Sequence, residues 1–216
     1  MSSDNALPLP TDAQRLARAL LDIGAVQLAT EKPFIWASGI ESPIYCDNRL
    51  LLGYPALRQE VVRQMAGHIE YHGWKPERIA GTATAGIPHA TLLADRLDLP
   101  LLYVRSQPKK HGRGQQIEGP LQTGERVVLI EDLISTGGSV LKAAEALRKA
   151  GAHVEGVLAI FSYQLPGVNR RFEEAGIALD VLTDLDTLLE VATGKGILSP
   201  ERATHVKVWR DKREVS

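Results

Sequence analysis

The strongest constraint on the fold of this chain is a short apolar run that ends in two adjacent carboxylates and a turn of small residues. Residues 126–130 read Arg-Val-Val-Leu-Ile, and Glu131 and Asp132 come next, before a hydroxyl- and glycine-rich turn at 135–139. A run this short and this rich in β-branched residues predicts a strand buried on both faces, as in a parallel sheet. A helical pattern follows at 140–150, so the segment predicts a strand–turn–helix unit of an α/β domain.

The turn at 135–139 has the composition of an anion-binding site. Open parallel sheets bind ligands beyond the carboxyl ends of their strands, and this turn lies between such an end and a helix start. Gly137 and Gly138 leave room for an anion to approach backbone N–H groups. The hydroxyls of Ser135, Thr136 and Ser139 add donors near the positive end of the helix dipole. The turn therefore predicts a phosphate-binding site.

The acid pair predicts contacts to a sugar. Glu131 and Asp132 would repel a phosphate that touched them, but at the strand end they suit ribose hydroxyls, bound directly or through Mg²⁺. The alternative is an ordinary buried strand before a Ser/Thr-rich helix start. That alternative leaves two acids beside an apolar run with no compensating ligand. Acid pair and turn together predict a ribose 5-phosphate site.

These residues resemble the signature with which type I phosphoribosyltransferases bind 5-phosphoribosyl 1-pyrophosphate (PRPP). The family pattern has four apolar residues, two acids, two apolar residues and a Thr/Ser-Gly turn, and residues 127–139 match it throughout. The resemblance implies the family fold, which is α/β with a central parallel sheet flanked by helices and a small N-terminal β-rich hood. It implies PRPP binding by Glu131, Asp132, Leu133, Ile134, Ser135, Thr136, Gly137, Gly138 and Ser139.

A polar stretch at 105–125 collects cations between two predicted strands. Long loops inside compact domains are usually functional or disordered, so we expect this one to be mobile when empty and to close over a polyanion. A solvated charged loop is the alternative. In orotate phosphoribosyltransferases the catalytic loop carries an Arg, a Lys four residues later and a His-Gly two beyond that. Arg105, Lys109 and His111 followed by Gly112 have this spacing, which implies that the first three are catalytic and bind PRPP.

Two further segments resemble parts of the same family. Small residues at 80–88 lie between a predicted strand and helix and resemble the loop that holds pyrophosphate, although close helix packing also requires small residues. Residues 34–45 resemble the hood segment that covers the pyrimidine. The resemblance implies that Tyr45 stacks on orotate and that Ser135 contacts it, although Tyr45 could equally pack within the hood.

The chain also departs from the best-known bacterial branch of this family. Ala37, Ala85 and Ser106 stand where that branch has lysines, and Tyr163 stands where it has an orotate-contacting arginine. Because the loop cations are intact, we interpret these differences as a different branch in which other groups replace the lost basic contacts.

Composition fits one enzyme domain. The 216 residues are 44% hydrophobic, and we expect a single domain over 1–216 with a hood built mainly from the segment up to about residue 50. Lys plus Arg total 25 against 26 for Asp plus Glu, so no basic field favours a nucleic-acid or membrane partner. Cys46 is the only cysteine and the first ten residues have no apolar signal core, so we expect a cytoplasmic protein.

The resemblance implies transfer of ribose 5-phosphate from PRPP to orotate, which gives orotidine 5'-phosphate and pyrophosphate in pyrimidine (UMP) biosynthesis. It implies Mg²⁺ as cofactor, held mainly by PRPP and water, and a homodimer that shares loop 105–125 across its interface. Two alternatives remain open. One is a phosphoribosyltransferase for another base, such as a purine. The other is a PRPP-sensing regulator without catalysis, which usually has a nucleic-acid surface or an added DNA-binding segment.

Periodicity predicts the remaining elements. Thr11 and Gln14 form a capping-box pattern that opens a helix to about Ile23. The other predicted helices are 55–72, 87–97, 168–175 and one from about 184, and the other predicted strands are 25–28, 34–37, 44–46, 78–80, 101–104, 178–182 and one within 153–160.

Overall fold

The structure is a computed structural model, and it describes residues 11–29, 32–35, 41–107 and 116–215. Within these ranges the elements in chain order are α1 (Asp12–Asp22), β1 (Val26–Leu28), β2 (Phe34–Ile35), β3 (Glu41–Ser42), β4 (Ile44–Cys46), a 3-10 helix (Asn48–Gly53), α2 (Pro55–Tyr71), β5 (Arg78–Thr82), α3 (Gly86–Leu97), β6 (Leu101–Val104), β7 (Ile117–Glu118), β8 (Arg126–Ile134), α4 (Gly138–Lys149), β9 (His153–Ser162), α5 (Val168–Glu174), β10 (Ala178–Asp184), α6 (Leu185–Gly194) and α7 (Pro200–Asp211).

One central sheet has the strand order β10-β9-β8-β5-β6-β7. Neighbouring strands are parallel except β7, which is antiparallel to β6. From β5 the chain adds β6 on one side and later places β8 on the other side, so the strand order reverses between β5 and β8. Such a reversal opens a crevice at the carboxyl ends of the two strands, where α/β proteins bind ligands.

The core lies around β8 and β9. Val127, Val128, Leu129 and Ile130 are fully buried, as the apolar run predicts for a strand covered on both faces. Helix α3 packs on β5 and β8 and comes very close to the sheet at Gly86. A Cβ at Gly86 would lie 2.5 Å from the carbonyl oxygen of Ile130, so only glycine fits this contact. The N-terminus of α3 is thereby held beside Ile130 in the middle of β8, directly before the acid pair.

The described parts of the hood, residues 25–29, 32–35 and 41–50, lie outside the central sheet. Their strands form two small antiparallel pairs, β1 with β4 and β2 with β3. Helix α7 and the residues just after it support the hood. Trp209 Nε1 in α7 and Arg213 Nη2 beyond its end both donate to the carbonyl oxygen of Glu41, at 2.8 and 3.0 Å. The Arg213 guanidinium lies 4.5 Å from the centre of the Trp209 ring and adds a cation–π contact.

The predicted central parallel sheet with flanking helices is confirmed, and so is the capping box of Thr11 and Gln14. Other details differ. Strand β3 and the 3-10 helix at 48–53 were not predicted. The strand predicted at 126–130 continues to Ile134, so Glu131 and Asp132 lie inside β8 and not beyond it. Strand β7 lies within the stretch predicted to be a loop, and helix α7 was not predicted. In the described part of the chain, no helix combines the length and apolar character needed to cross a bilayer.

Candidate active site

The turn after β8 has the geometry that the glycines predict. Gly137 adopts a left-handed conformation with φ of +72°, and α4 begins at the next residue, Gly138. Helix α5 stabilises the turn, because Arg171 Nη1 in this helix donates to the carbonyl oxygen of Thr136 at 2.8 Å. Thr136 and Ser139 are exposed. The turn thus presents hydroxyls and a helix N-terminus to solvent, which is a site for an anion.

The acid pair lies on the last part of β8, ahead of this turn. Glu131 is buried and Asp132 is half-buried, and the Asp132 backbone N–H donates to Glu131 Oε1 at 3.1 Å. Burial raises the pKa of the Glu131 carboxyl well above its usual range, and the neighbouring Asp132 charge raises it further. Burial also raises the pKa of Asp132. Two such acids are costly in an empty protein and favour a ligand that brings hydroxyl donors or a cation.

Side chains from two other elements bind the backbone of β8 here. Thr82 Oγ1 donates to the carbonyl oxygen of Ile130 at 3.1 Å, and Asn48 Nδ2 donates to that of Asp132 at 2.6 Å. Asn48 lies in the hood and is fully buried. Sequence analysis missed Asn48, since its partner is 84 positions away and no local pattern marks such a contact.

Residues 83–85 form a loop between the end of β5 at Thr82 and the start of α3, where the small-residue segment was predicted, and its role in holding pyrophosphate stays a prediction. It includes a cis peptide bond between Ala83 and Thr84, and the Ala83 N–H donates to the carbonyl oxygen of Val104 at 2.8 Å. A cavity of about 610 Å³ separates this loop from the β8 turn. Glu131, Asp132, Leu133, Thr136, Gly138 and Ser139 line it together with residues 82–85. The structure therefore brings the acid pair, the anion turn and the second small-residue loop into one site.

Arg105 stands at the edge of this cavity, where the cationic stretch begins. Its backbone N–H donates to the Gln116 carbonyl oxygen at 2.9 Å, and Gln116 Nε2 donates back to the Arg105 carbonyl oxygen at 2.8 Å. Arg105 Nη1 lies 3.5 Å from Glu118 Oε1. Lys109 and His111 lie outside the described residues, so their roles stay predictions.

The other predicted contacts are placed less directly. Ser135 is half-buried and is not among the residues that line the cavity, and Ile134 is buried in the core. Tyr45 is half-buried in β4, with its ring centre 5.7 Å from that of Phe34, and does not line the cavity either. Lys142 in α4 does line it, and sequence analysis did not name this residue.

The remaining departures can also be placed. Ala85 and Ser106 both line the cavity. Tyr163 is buried in the core, where its ring meets Phe161 edge-on with centres 5.5 Å apart. Ala37 lies outside the described residues. A phenol packed into the core differs in kind from a basic side chain that contacts a ligand, so Tyr163 does not replace the arginine of the other branch directly.

Fold and site together define a phosphoribosyltransferase. A family model described as the phosphoribosyl transferase domain matches residues 51–164, which include β5, β8 and the turn. The chain is 52% identical over 202 residues to an orotate phosphoribosyltransferase of Listeria innocua serovar 6a, covering 94% of this chain and 97% of that protein.

Solved structures agree. Orotate phosphoribosyltransferase from Aeropyrum pernix superposes with a TM-score of 0.72 at 32% identity, covering 85% of this chain and 99% of that one. UMP synthase of Leishmania donovani gives a TM-score of 0.80 at 30% identity, covering 96% of this chain and 44% of that longer one. The chain therefore belongs to the orotate phosphoribosyltransferase family. The family and fold class predicted from the sequence are confirmed.

Proposed function

We propose that this protein transfers ribose 5-phosphate from PRPP to orotate, giving orotidine 5'-phosphate and pyrophosphate. One observation carries the proposal: the acid pair of β8 leads into the anion turn and faces the 82–85 loop across a single cavity. PRPP has a matching shape, with a lone phosphate at one end of a ribose and a pyrophosphate at the other. The named relatives support orotate as the acceptor and a place in UMP synthesis.

The reaction needs no protein nucleophile. Orotate N1 bonds to C1 of PRPP and releases its proton to solvent while the bond from C1 to the pyrophosphate oxygen breaks. Positive charge therefore grows on the ribose. The carboxylates of Glu131 and Asp132 hold the ribose hydroxyls and offset that charge. The turn at 135–139 holds the 5-phosphate, and the backbone of 82–85 holds the pyrophosphate.

The loop cations act on the leaving group in this proposal. Arg105 already lines the cavity, and Lys109 and His111 belong to the segment that follows it. Positive side chains that meet the pyrophosphate only as its negative charge develops lower the barrier more than they strengthen ground-state binding. His111, when protonated, also donates a proton to the departing pyrophosphate.

The donor set of the cavity fits Mg²⁺. Carboxylate oxygens are the ligands this ion prefers, and a cation beside Glu131 and Asp132 would offset the burial that raises the pKa of both. Within the described ranges no three His, Cys, Asp or Glu side chains converge on one metal position, so PRPP oxygens and water would complete the coordination. When bound, Mg²⁺ neutralises charge on the pyrophosphate. We expect a chelator to abolish turnover and added Mg²⁺ to restore it.

The assembly and the base contacts belong to the same proposal. We expect one domain over 1–216 that works as a homodimer in the cytoplasm, with loop 105–125 of each subunit closing over the site of its partner. Ser135 and Tyr45 are the proposed orotate contacts. Neither residue lines the cavity described above, so these two contacts rest on the resemblance alone.

An assay of PRPP consumption against a panel of bases tests the function. Orotate should support turnover with Mg²⁺, whereas uracil, adenine, hypoxanthine and guanine should not. Turnover with a purine would mean that this purine, and not orotate, is the acceptor. PRPP binding without turnover on any base would favour a PRPP sensor and contradict the proposal.

A further inference from the structure

The acid pair lies on a part of β8 that lacks a neighbour on one side. Pairing between β5 and β8 ends with Gly81 and Ile130, but β8 continues to Ile134 and pairs there with β9 alone. Glu131 and Asp132 belong to this overhang. A strand edge without a partner leaves backbone groups that need other hydrogen bonds to hold their position.

Side chains supply those bonds. Strand geometry repeats every second residue, so the carbonyls of Ile130 and Asp132 point to the same edge of β8. The Ile130 carbonyl accepts from Thr82 Oγ1, and the Asp132 carbonyl accepts from Asn48 Nδ2 at 2.6 Å. Asn48 therefore occupies the place that the next residue of β5 would take in a longer sheet. Because Asn48 belongs to the hood, this bond links the hood to the ribose acids.

The orientation of the Asn48 amide is itself fixed. Its side chain is fully buried, and its Oδ1 accepts a hydrogen bond from Cys46 Sγ at 3.3 Å. A thiol is a weak donor, but it selects the amide orientation in which Nδ2, and not Oδ1, meets the Asp132 carbonyl. Burial raises the pKa of the Cys46 thiol, so it keeps its proton at neutral pH.

We propose that Asn48 is a positioning residue that sets the backbone of Asp132 for ribose binding, and that Cys46 fixes the direction of its amide. This inference rests on the proposed function, since it assigns a purpose to the acid pair. The hood and the sugar site are then set together by one buried chain of hydrogen bonds, from Cys46 through Asn48 to Asp132.

Two substitutions separate the hydrogen bond from packing. Asn48→Asp keeps the shape of the side chain but directs an oxygen at the Asp132 carbonyl, whereas Asn48→Ala removes the donor together with the rest of the amide. We expect Asn48→Asp to raise the KM for PRPP at least about tenfold and to lower kcat, and Asn48→Ala to have a smaller effect in the same direction. The KM for orotate should change by less than about threefold in both.

Ser42→Ala is the matched control. Ser42 is fully buried in the same hood, and among the described residues its hydroxyl bonds only to the backbone of Ile44. Its loss should lower the melting temperature and leave the KM for PRPP near the wild-type value. If the Asn48 variants also lose melting temperature but keep wild-type kinetics, Asn48 is merely structural and the proposal is overturned.

The Cys46 pair provides a second test should the Asn48 variants not fold. Cys46→Ser keeps a donor to Asn48, and Cys46→Ala does not, so the serine variant should retain at least about threefold more kcat/KM for PRPP. Equal values in the two variants would refute the orienting role of Cys46. A failure of the proposed function can be distinguished from a failure of the positioning role, because the wild type would then transfer no ribose 5-phosphate to orotate. Calorimetric binding of PRPP with Mg²⁺ to wild type and Asn48→Asp would still decide the positioning role.

Discussion

Two neighbouring glycines in the anion turn should respond to alanine in different ways. Gly137 has φ of +72°, and a Cβ there would lie 2.7 Å from Phe172 Cε2, which is well inside van der Waals contact. The left-handed conformation costs a residue with a Cβ about 1–2 kcal/mol. Overpacking against the buried Phe172 ring costs about 1–3 kcal/mol more. Gly137→Ala should therefore lower the free energy of unfolding by about 2–5 kcal/mol, a large part of the stability of a typical domain.

Gly138→Ala is the internal comparison for this prediction. Gly138 begins α4 without a positive φ, and the nearest atom to its added Cβ is Arg171 Nη2, at 3.6 Å. The free energy of unfolding of the Gly138→Ala variant should stay within about 1 kcal/mol of the wild-type value. The methyl group would line the cavity on the phosphate side, so the KM for PRPP should rise although the fold is intact. Urea denaturation and steady-state kinetics on both variants check the pair. Equal losses of stability would refute the conformations assigned to this turn.

Three further predictions concern charge. Folding raises the pKa of Glu131, so the stability that its protonated carboxyl contributes is fully present below the unfolded pKa and is lost as pH rises through the folded pKa. Glu131→Gln should therefore gain melting temperature relative to wild type as pH rises, while it loses turnover. A difference in melting temperature that does not change with pH would contradict this prediction. Glu125 is paired bidentately with the buried Arg78, which lowers the pKa of the Glu125 carboxyl. Glu125→Ala leaves the Arg78 guanidinium without this partner, so it should lower the free energy of unfolding by about 1–3 kcal/mol at neutral pH. The loss should shrink as acid protonates the wild-type carboxyl, and urea denaturation at several pH values checks it. Lys109→Ala should lower kcat far more than it weakens orotate binding, and equal, small effects on both would count against a catalytic role for Lys109. Mixed dimers of a Lys109→Ala subunit and an Asp132→Asn subunit should regain some activity. No recovery in verified mixed dimers would count against a loop shared between subunits.

Local chemistry made most of the fold predictable. The capping box of Thr11 and Gln14, the apolar run of β8 and the glycines of the turn each act within a few residues, and the structure has all three as predicted. Helix α7 also had a local signal, Ser199 as N-cap before Pro200, although its weak amphipathic pattern hid it.

The end of β8 could not be predicted in this way. Acidic residues are depleted in strands, so Glu131 and Asp132 seemed to terminate one. The strand continues because β9 pairs alongside as far as Ile134 and because Thr82 and Asn48 hold its other edge. Strand β7 is equally a product of tertiary structure, since two residues form it only by pairing with β6. The site was predictable where one segment builds it, and Asn48 was missed because it comes from a distant segment.

The support of the hood by α7 has a consequence for biosynthesis. The described hood strands lie within residues 26–46, but Trp209 and Arg213, which donate to the carbonyl oxygen of Glu41, leave the ribosome 168 and 172 residues after Glu41. A nascent chain can therefore assemble much of its central sheet before the hood gains this support. C-terminal truncations that remove these two residues should then yield a protein whose sheet is folded and whose hood is loosened.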